Sequence, residues 1–407
     1  MSSDFERWLR QGHPRALSFV RDNKSGAYYR ALLYACRHEL RFDRQCEESR
    51  APFLWQLIQL SSNKESYRRG ILKTIQDLKA GKEELVNVDQ LYELAAFFIK
   101  EGAADLRAEL YSAFDRIGFN RAGGQAAATL VELDGLPALG FVCKTFNEVE
   151  SVWRPSCFDS LIEALPQEER SGPFPSNVVP YFNEWELWVA ESATRPREAN
   201  ASYAEIKSII QEKRRRFRNL FWAKRATEVE LAEVVKDFMD ESDPDLLLAY
   251  LFLFVRVPFP GDPARIITLA RSEDEELSRV AIRVLRHLAH PKLRKIALGL
   301  MKRSDLQSEA VELLILNGGV QDYPLIERVL RGSVDEDDVH AMGMGVLKFV
   351  EAHPSPFAGP SLLDLYERNP CSLCRRSTVR ALTRNLLIPE HLLTLIEEDI
   401  YAKAQDL

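Results

Sequence analysis

The densest concentration of chemically active side chains is KRRRFRNLFWAKR, Lys213 to Arg225, where seven basic residues and three aromatics share thirteen positions. Guanidinium groups pair two-pronged with phosphate oxygens, and an indole beside them offers a flat face to a base. The stretch therefore has the residue types of a nucleic-acid site. Read together with the preceding SYAEIKSIIQE it predicts one helix, with Ile206, Ile209, Ile210, Phe217, Leu220 and Phe221 on its apolar face. Arg214, Arg215, Arg218, Trp222 and Arg225 then fall on a flank of that face and are candidate binding residues. The rival account is local: Glu228 to Asp245 holds eight acidic residues and one lysine, enough to pair the arginines internally.

A second basic region runs from Leu277 to Arg303, with eight Lys or Arg and no Asp or Glu. Arg279, Arg283 and Arg286 recur at i, i+4, i+7 and form a stripe on one helix face. Lys292, Lys295, Lys302 and Arg303 form another, opposite Leu293, Ile296 and Leu300. Either stripe serves an anionic partner or is simply a solvated helix face.

Cys371-Ser372-Leu373-Cys374 has the spacing of half a zinc site or of a redox pair. No second CxxC and no HxxxH follows, so further ligands would come from remote residues such as His353 or His391. The bland reading is two semi-buried cysteines at a helix start. The run Asp335 to Asp338 reads as a helix N-terminus, where carboxylates cap exposed N–H groups, rather than a cation site. Gly123-Gly124 has no preceding strand and no Lys-Ser or Lys-Thr after it, so it is a turn and not a phosphate loop. The seven histidines are dispersed, and His287 reads as a partly buried helix residue rather than a base. No catalytic residue, metal or cofactor is assigned, and nothing in the sequence argues for an enzyme.

The 407 residues carry a formal net charge of −7, so any phosphate affinity must come from local patches against the overall field. With 46% apolar and 28% charged residues the composition is globular. The start MSSDFERWLR lacks the apolar stretch of a signal peptide. The longest apolar run, Leu246 to Val255, is half the length of a bilayer span and predicts a buried core helix. Six scattered cysteines fit reduced thiols, and the expected location is the cytoplasm.

These residues must be positioned by helices, because strand-period alternation is nearly absent and the expected class is all-α. From about Asp243 onward helical patterns alternate with short turns. Small residues recur at Ala249, Ala281, Ala310, Gly343 and Thr378, each followed one position later by Tyr250, Ile282, Val311, Met344 or Val379. Four positions after each small residue stands Leu253, Leu285, Leu314, Leu347 or Leu382. A small residue lets two helices approach, while the two larger ones fill the layer shared with the next unit. One such unit cannot bury its apolar face alone, so neighbours must stack.

The stretch Asp274 to Arg303, two helices broken at His290 and Pro291, resembles a short HEAT repeat of the phycobiliprotein-lyase type. The resemblance implies an α-solenoid of stacked antiparallel helix pairs, whose second helices line the concave surface and would turn Lys292, Lys295, Lys302 and Arg303 toward it. Residues 1–146 read as degenerate helical repeats, 205–407 as the HEAT-like array. Residues 147–204, with six of the twenty prolines and three of the six tryptophans, read as a bend or insertion.

Two functional classes follow. The first is a non-enzymatic scaffold or adaptor binding a protein partner on its curved surface. The second is a nucleic-acid-binding HEAT-like protein using the two basic regions. In its extreme form the second class resembles the alkylpurine DNA glycosylases, with a loose parallel in Trp185, Trp188 and Trp222 beside Glu184 and Glu186. No membrane association is expected, and the sequence does not fix an oligomeric state.

Overall fold

The computed structural model describes residues 3–23, 26, 28–82, 85–194, 201–212 and 221–402. Among them there are 22 α-helices and no strand, so the protein is all-α. The chain divides into two compact units: residues 1–195 with 371–373 and 394–403, and residues 196–370 with 374–393 and 404–407.

The first unit carries α1 (Ser3–Gln11), α2 (Arg15–Asp22), α3 (Tyr29–Arg37), α4 (Ala51–Leu60), α5 (Lys64–Lys79), α6 (Val88–Lys100), α7 (Ala104–Ala122), α8 (Gly124–Val142), α9 (Arg154–Ala164) and α10 (Val179–Thr194). They pack in two interleaved rows, α2 on α4 on α6 on α8 and α3 on α5 on α7, with cross-contacts between rows. Each row buries the apolar stripe of its members, as in α6, where Leu91, Leu94, Ala95, Phe98 and Ile99 all leave solvent. The proline-rich segment continues this packing: α9 lies on α8 and α10 on α9. Pro155 and Pro180 stand in the first turns of their helices, where a missing N–H costs nothing, so they start helices instead of breaking them. Phe146 and Phe158 are buried beneath Tyr181, and the Trp185 indole donates to Asp159 at 2.9 Å.

The second unit carries α11 (Tyr203–Gln211), α12 (Glu228–Asp240), α13 (Pro244–Leu253), α14 (Ala264–Leu269), α15 (Glu275–Leu285), α16 (Pro291–Leu300), α17 (Gln307–Asn317), α18 (Tyr323–Gly332), α19 (Glu336–Ala352) and α20 (Gly359–Arg368). The remaining two are α21 (Ser372–Arg384) and α22 (Glu390–Glu398), whose residues are shared between the units. Here α13, α15, α17 and α19 pack in series, with α14 against α15, α16 against α17 and α18 against α19. The apolar run becomes the short buried helix α13, and no helix of the described residues is long and apolar enough to cross a membrane.

Local sequence sets these boundaries. Ser202 and Thr227 open α11 and α12 with full capping boxes to Glu205 and Glu230. Asp274 accepts from Leu277 N at 3.0 Å, His290 caps α16 ahead of Pro291, and Asp335 accepts from the N–H groups of Asp337 and Asp338. The acidic run is thus a helix cap, as its position predicts. Gly123, with φ +92°, forms the turn between α7 and α8.

The repeat register holds at three helices in full: Ala281, Ile282 and Leu285, then Ala310, Val311 and Leu314, then Thr378, Val379 and Leu382 are all buried. In α13, Tyr250 and Leu253 are buried and Ala249 is half-buried. In α19 the register is displaced by two residues. Met344 is 45% exposed and Leu347 only half-buried, whereas Gly345, Val346 and Phe349 occupy the small, aliphatic and large positions. The reason is steric: a Cβ on Gly345 would stand 3.1 Å from Val311 Cγ1, so this glycine, not Gly343, is the point where α19 closes on α17.

In the first unit a buried ion pair joins distant stretches of chain. The Arg50 side chain is 1% exposed and that of Glu47 fully buried, and Arg50 Nη2 donates to Glu47 Oε2 at 2.8 Å and to the Arg10 carbonyl at 3.2 Å. Ser372 donates its N–H and hydroxyl to the same carboxylate oxygen at 2.8 and 2.7 Å, and Asp43 N donates to the other at 2.9 Å. The guanidinium lies 5.0 Å from the centre of the Tyr401 ring, whose hydroxyl donates to Ser49 O at 2.9 Å. Gly12, at φ +60°, makes room: a Cβ there would meet the Tyr401 ring at 2.8 Å and Arg50 Nη1 at 2.9 Å. Burial pushes the Glu47 carboxyl up, but the Arg50 charge and the Ser372 and Asp43 donors outweigh it and hold the carboxyl below its ordinary value.

Two outcomes are expected. Leu314→Ala costs about 2–5 kcal/mol in denaturant unfolding, while Met344→Ala stays within about 0.5 kcal/mol; equal costs would overturn the displaced register. Because the folded Glu47 carboxyl is more acidic than the unfolded one, its contribution is present above about pH 4.3 and lost as pH falls through its lower folded value. The stability advantage of wild type over Glu47→Gln therefore shrinks below about pH 4.3, as read by urea titrations across that range.

Candidate functional site

Of the opening basic stretch, Arg214, Arg215 and Arg218 lie outside the described residues. Helix α11 ends at Gln211, and a 3-10 turn spans Trp222–Lys224, so the continuous helix expected from the sequence is not formed over the described part. Trp222 is 4% exposed: its indole N–H donates to Ala201 O at 2.6 Å, and its ring packs 5.9 Å from Tyr203. It belongs to the core and cannot stack on a base. Phe221, expected in the core, is instead 50% exposed, with the Lys224 ammonium and Arg256 guanidinium 5.6 and 4.7 Å from its ring centre. The two aromatics exchange roles because α11 stops short, which removes the helical phase that assigned their faces. Arg225 is exposed. The acidic helix α12 takes its partners from α11: Asp237 pairs with Lys207 at 2.7 Å and accepts from the Tyr203 hydroxyl at 2.6 Å.

The second basic region splits into two chemically different faces. On α15 each arginine of the stripe meets an acid beyond α16, on α17 or in the 3-10 turn that precedes it. Arg279 lies 3.7 Å from Asp305, Arg283 3.9 Å from Glu309, and Arg286 2.7 Å from Glu312. Each partner stands 26 positions later, so the acids repeat the i, i+4, i+7 spacing of the arginines. Two parallel stripes of opposite sign zip together. The sequence contained this signal as a constant offset of 26, which differs from the 29 that separates Ala281 from Ala310, so aligning the repeats does not reveal it.

These pairs line a groove of about 360 Å³ in the second unit, which Asp338, Met342 and Met344 border from α19. The arginines of α15 line it, whereas Lys292, Lys295, Lys302 and Arg303, expected to face a groove, are exposed elsewhere on and just after α16. Arg303 pairs with Asp305 at 2.8 Å. The ammonium groups of Lys292, Lys295 and Lys302 have no ion-pair partner among the described residues. His287, behind the groove, donates Nε2–H to Val255 O at 2.8 Å, and burial holds its imidazole below the usual range. It is a structural residue.

The remaining candidates resolve as follows. Cys371 is buried, and Cys374 places Sγ 3.5 Å from Nδ1 of His340, a histidine that the sequence did not single out. His353 is engaged instead with the Ile315 carbonyl at 3.0 Å. Trp185 and Trp222 belong to different units, each committed to its own hydrogen bond. In the first unit a wider groove of about 930 Å³ has Tyr111, Phe141, Pro137 and Pro175 as walls. Its Tyr111 hydroxyl is spent on Asp134 at 2.7 Å and its Asn177 amide on Gly140 O at 2.7 Å.

Compared with known proteins, the chain matches no family model, no curated protein and no solved structure.

The side chains of Arg286 and Glu312 are 26% and 18% exposed, which makes theirs the pair most sheltered from solvent in the ladder. A double-mutant cycle on Arg286→Ala and Glu312→Ala is expected to give a coupling of about 0.5–1 kcal/mol that shrinks in about 1 M salt. No coupling at low salt would mean that the stripes do not interact.

Proposed function

We propose that the protein is a non-enzymatic α-solenoid of HEAT-like helix pairs, a cytoplasmic scaffold that holds a partner protein along the groove of its second unit. The serial packing of α13, α15, α17 and α19, each backed by a second helix, supports the solenoid reading. The observation that carries the function is the sign pattern of the groove. Arg279, Arg283 and Arg286 stand against Asp305, Glu309 and Glu312, with Asp338 added. A polyanion approaching those arginines would meet four carboxylates, whereas a protein surface of alternating charge could exchange partners with the ladder pair by pair. Met344, exposed at the edge, supplies an adaptable apolar contact.

A second reading has one observation of its own. Lys292, Lys295 and Lys302 form a basic face on and just after α16, with no ion-pair partner among the described residues, which suits phosphate binding. The two readings separate by mutation and by salt. Under the scaffold reading, the partner co-purifying with the tagged full chain is lost on Arg283→Ala or Met344→Glu and kept on Lys292→Glu/Lys295→Glu. Loss on the lysine variant alone, together with labelled nucleic acid binding that weakens steeply with salt in fluorescence anisotropy, would replace the scaffold by the nucleic-acid reading.

A further inference from the structure

Between α1 and α3 of the first unit lies a cleft of about 540 Å³, inside the range usual for small-molecule sites. Glu6, Leu9 and Arg10 line it from one face of α1, and Arg30 and Tyr34 from α3, with Leu40 beyond. Two guanidinium groups thus stand with one carboxylate, a local positive balance in a chain whose net charge is −7.

Tyr34 is the informative member. Its neighbours Leu32, Ala35 and Cys36 are buried, yet Tyr34 itself is 56% exposed. One side of the ring is covered by His38, stacked with centroids 3.9 Å apart and planes 13° from parallel. The imidazole is fixed in turn, because its Nδ1–H donates to the Tyr34 carbonyl at 2.9 Å. The phenol ring therefore has one face backed by His38 before any ligand arrives, while the residue stays largely exposed and lines the cleft. A pre-ordered aromatic face, two arginines and an apolar floor of Leu9 and Leu40 make different demands on a ligand. An aliphatic anion would leave the ring unused, and an uncharged aromatic would leave the arginines unused.

We propose that this cleft binds a nucleotide. The base stacks on Tyr34, the phosphate lies between Arg10 and Arg30, and Glu6 accepts a hydrogen bond from a base amino group or a ribose hydroxyl. This site is independent of the groove in the second unit and does not rest on the scaffold reading. The same chemistry is offered by a free nucleotide and by the 5′-phosphorylated end of a strand.

Isothermal titration calorimetry on the full chain with AMP and with a 5′-phosphorylated single-stranded oligoadenylate tests it. Saturable binding with a Kd below about 1 mM, weakening with salt, is expected for at least one probe. Tyr34→Ala should weaken it about tenfold or more, and Tyr34→Phe, which keeps the stacking face, by less than about threefold. Arg30→Glu, at an exposed position that leaves the core untouched, should abolish it. Comparable affinity for both probes assigns the site to a free nucleotide; an oligoadenylate bound more than about tenfold tighter, with the same Tyr34 dependence, assigns it to a strand end. Absence of binding by either probe, or binding that survives both Tyr34→Ala and Arg30→Glu with unchanged circular dichroism, would overturn the proposal.

Discussion

The first unit depends on a carboxylate and a guanidinium taken out of water together. Neither Glu47 nor Arg50 could be buried alone, since an isolated ion in the interior costs several kcal/mol. Their mutual attraction is therefore a condition of the fold and not a surplus added to it. The remaining lone pairs of Glu47 recruit Ser372 and Asp43, and the face of the Arg50 guanidinium recruits Tyr401. Arg50 Nε and Nη1 have no hydrogen-bond partner among the described residues, so the aromatic ring is what compensates that side of the cation. A site this demanding selects one arrangement of chain, because losing the Ser372 hydroxyl removes a donor to a buried carboxylate and a side chain at Gly12 would collide with the Tyr401 ring and the Arg50 guanidinium.

The second unit follows a different rule, in which no single pair matters much and regularity does the selecting. Small residues at Ala281, Ala310 and Gly345 bring successive helices close, and the ladder of Arg279, Arg283 and Arg286 against Asp305, Glu309 and Glu312 matches them along their length. A slip of one residue would turn the arginines away from the acids and the aliphatics away from the core at once. Apolar packing and surface charge thus specify the same register, the agreement between levels that marks a foldable sequence.

How much of this was legible in the sequence depended on whether the signal was local. Helix class, the cap at Asp335, the break at His290 and Pro291, and the burial of Leu253, Leu285, Leu314 and Leu382 follow from neighbouring residues, and all appear in the structure. The slip at α19 arose because Gly343 and Gly345 both satisfy a small-residue pattern and both meet close neighbours, Gly343 at Leu365 of α20 and Gly345 at Val311 of α17, and sequence does not say which neighbour sets the register. Trp222 and Phe221 were assigned to the wrong faces because a helical phase was carried past Gln211, where the helix stops. The Glu47–Arg50 pair could not be read at all: its acceptors and donors lie up to 325 positions apart, and nothing in either stretch announces the other. The cleft at Tyr34 was missed for the same reason, since α1 and α3 each look like ordinary amphipathic helices.

The membership of residues 371–373 and 394–403 in the first unit bears on the order in which the protein is made. A ribosome adds roughly 5–20 residues each second, so roughly ten to forty seconds separate the emergence of residue 195 from that of the segments that complete its unit. During that interval Arg50 lacks Tyr401, Glu47 lacks Ser372, and Phe53 lacks the Tyr401 ring that lies 6.4 Å away in the finished structure. The second unit holds 196–370 in one run and adds 374–393 and 404–407, so no gap in it exceeds ten residues. The half of the molecule that is synthesised first is thus the half that waits longest for its missing segments, and its unfinished surface is what a nascent-chain chaperone would meet.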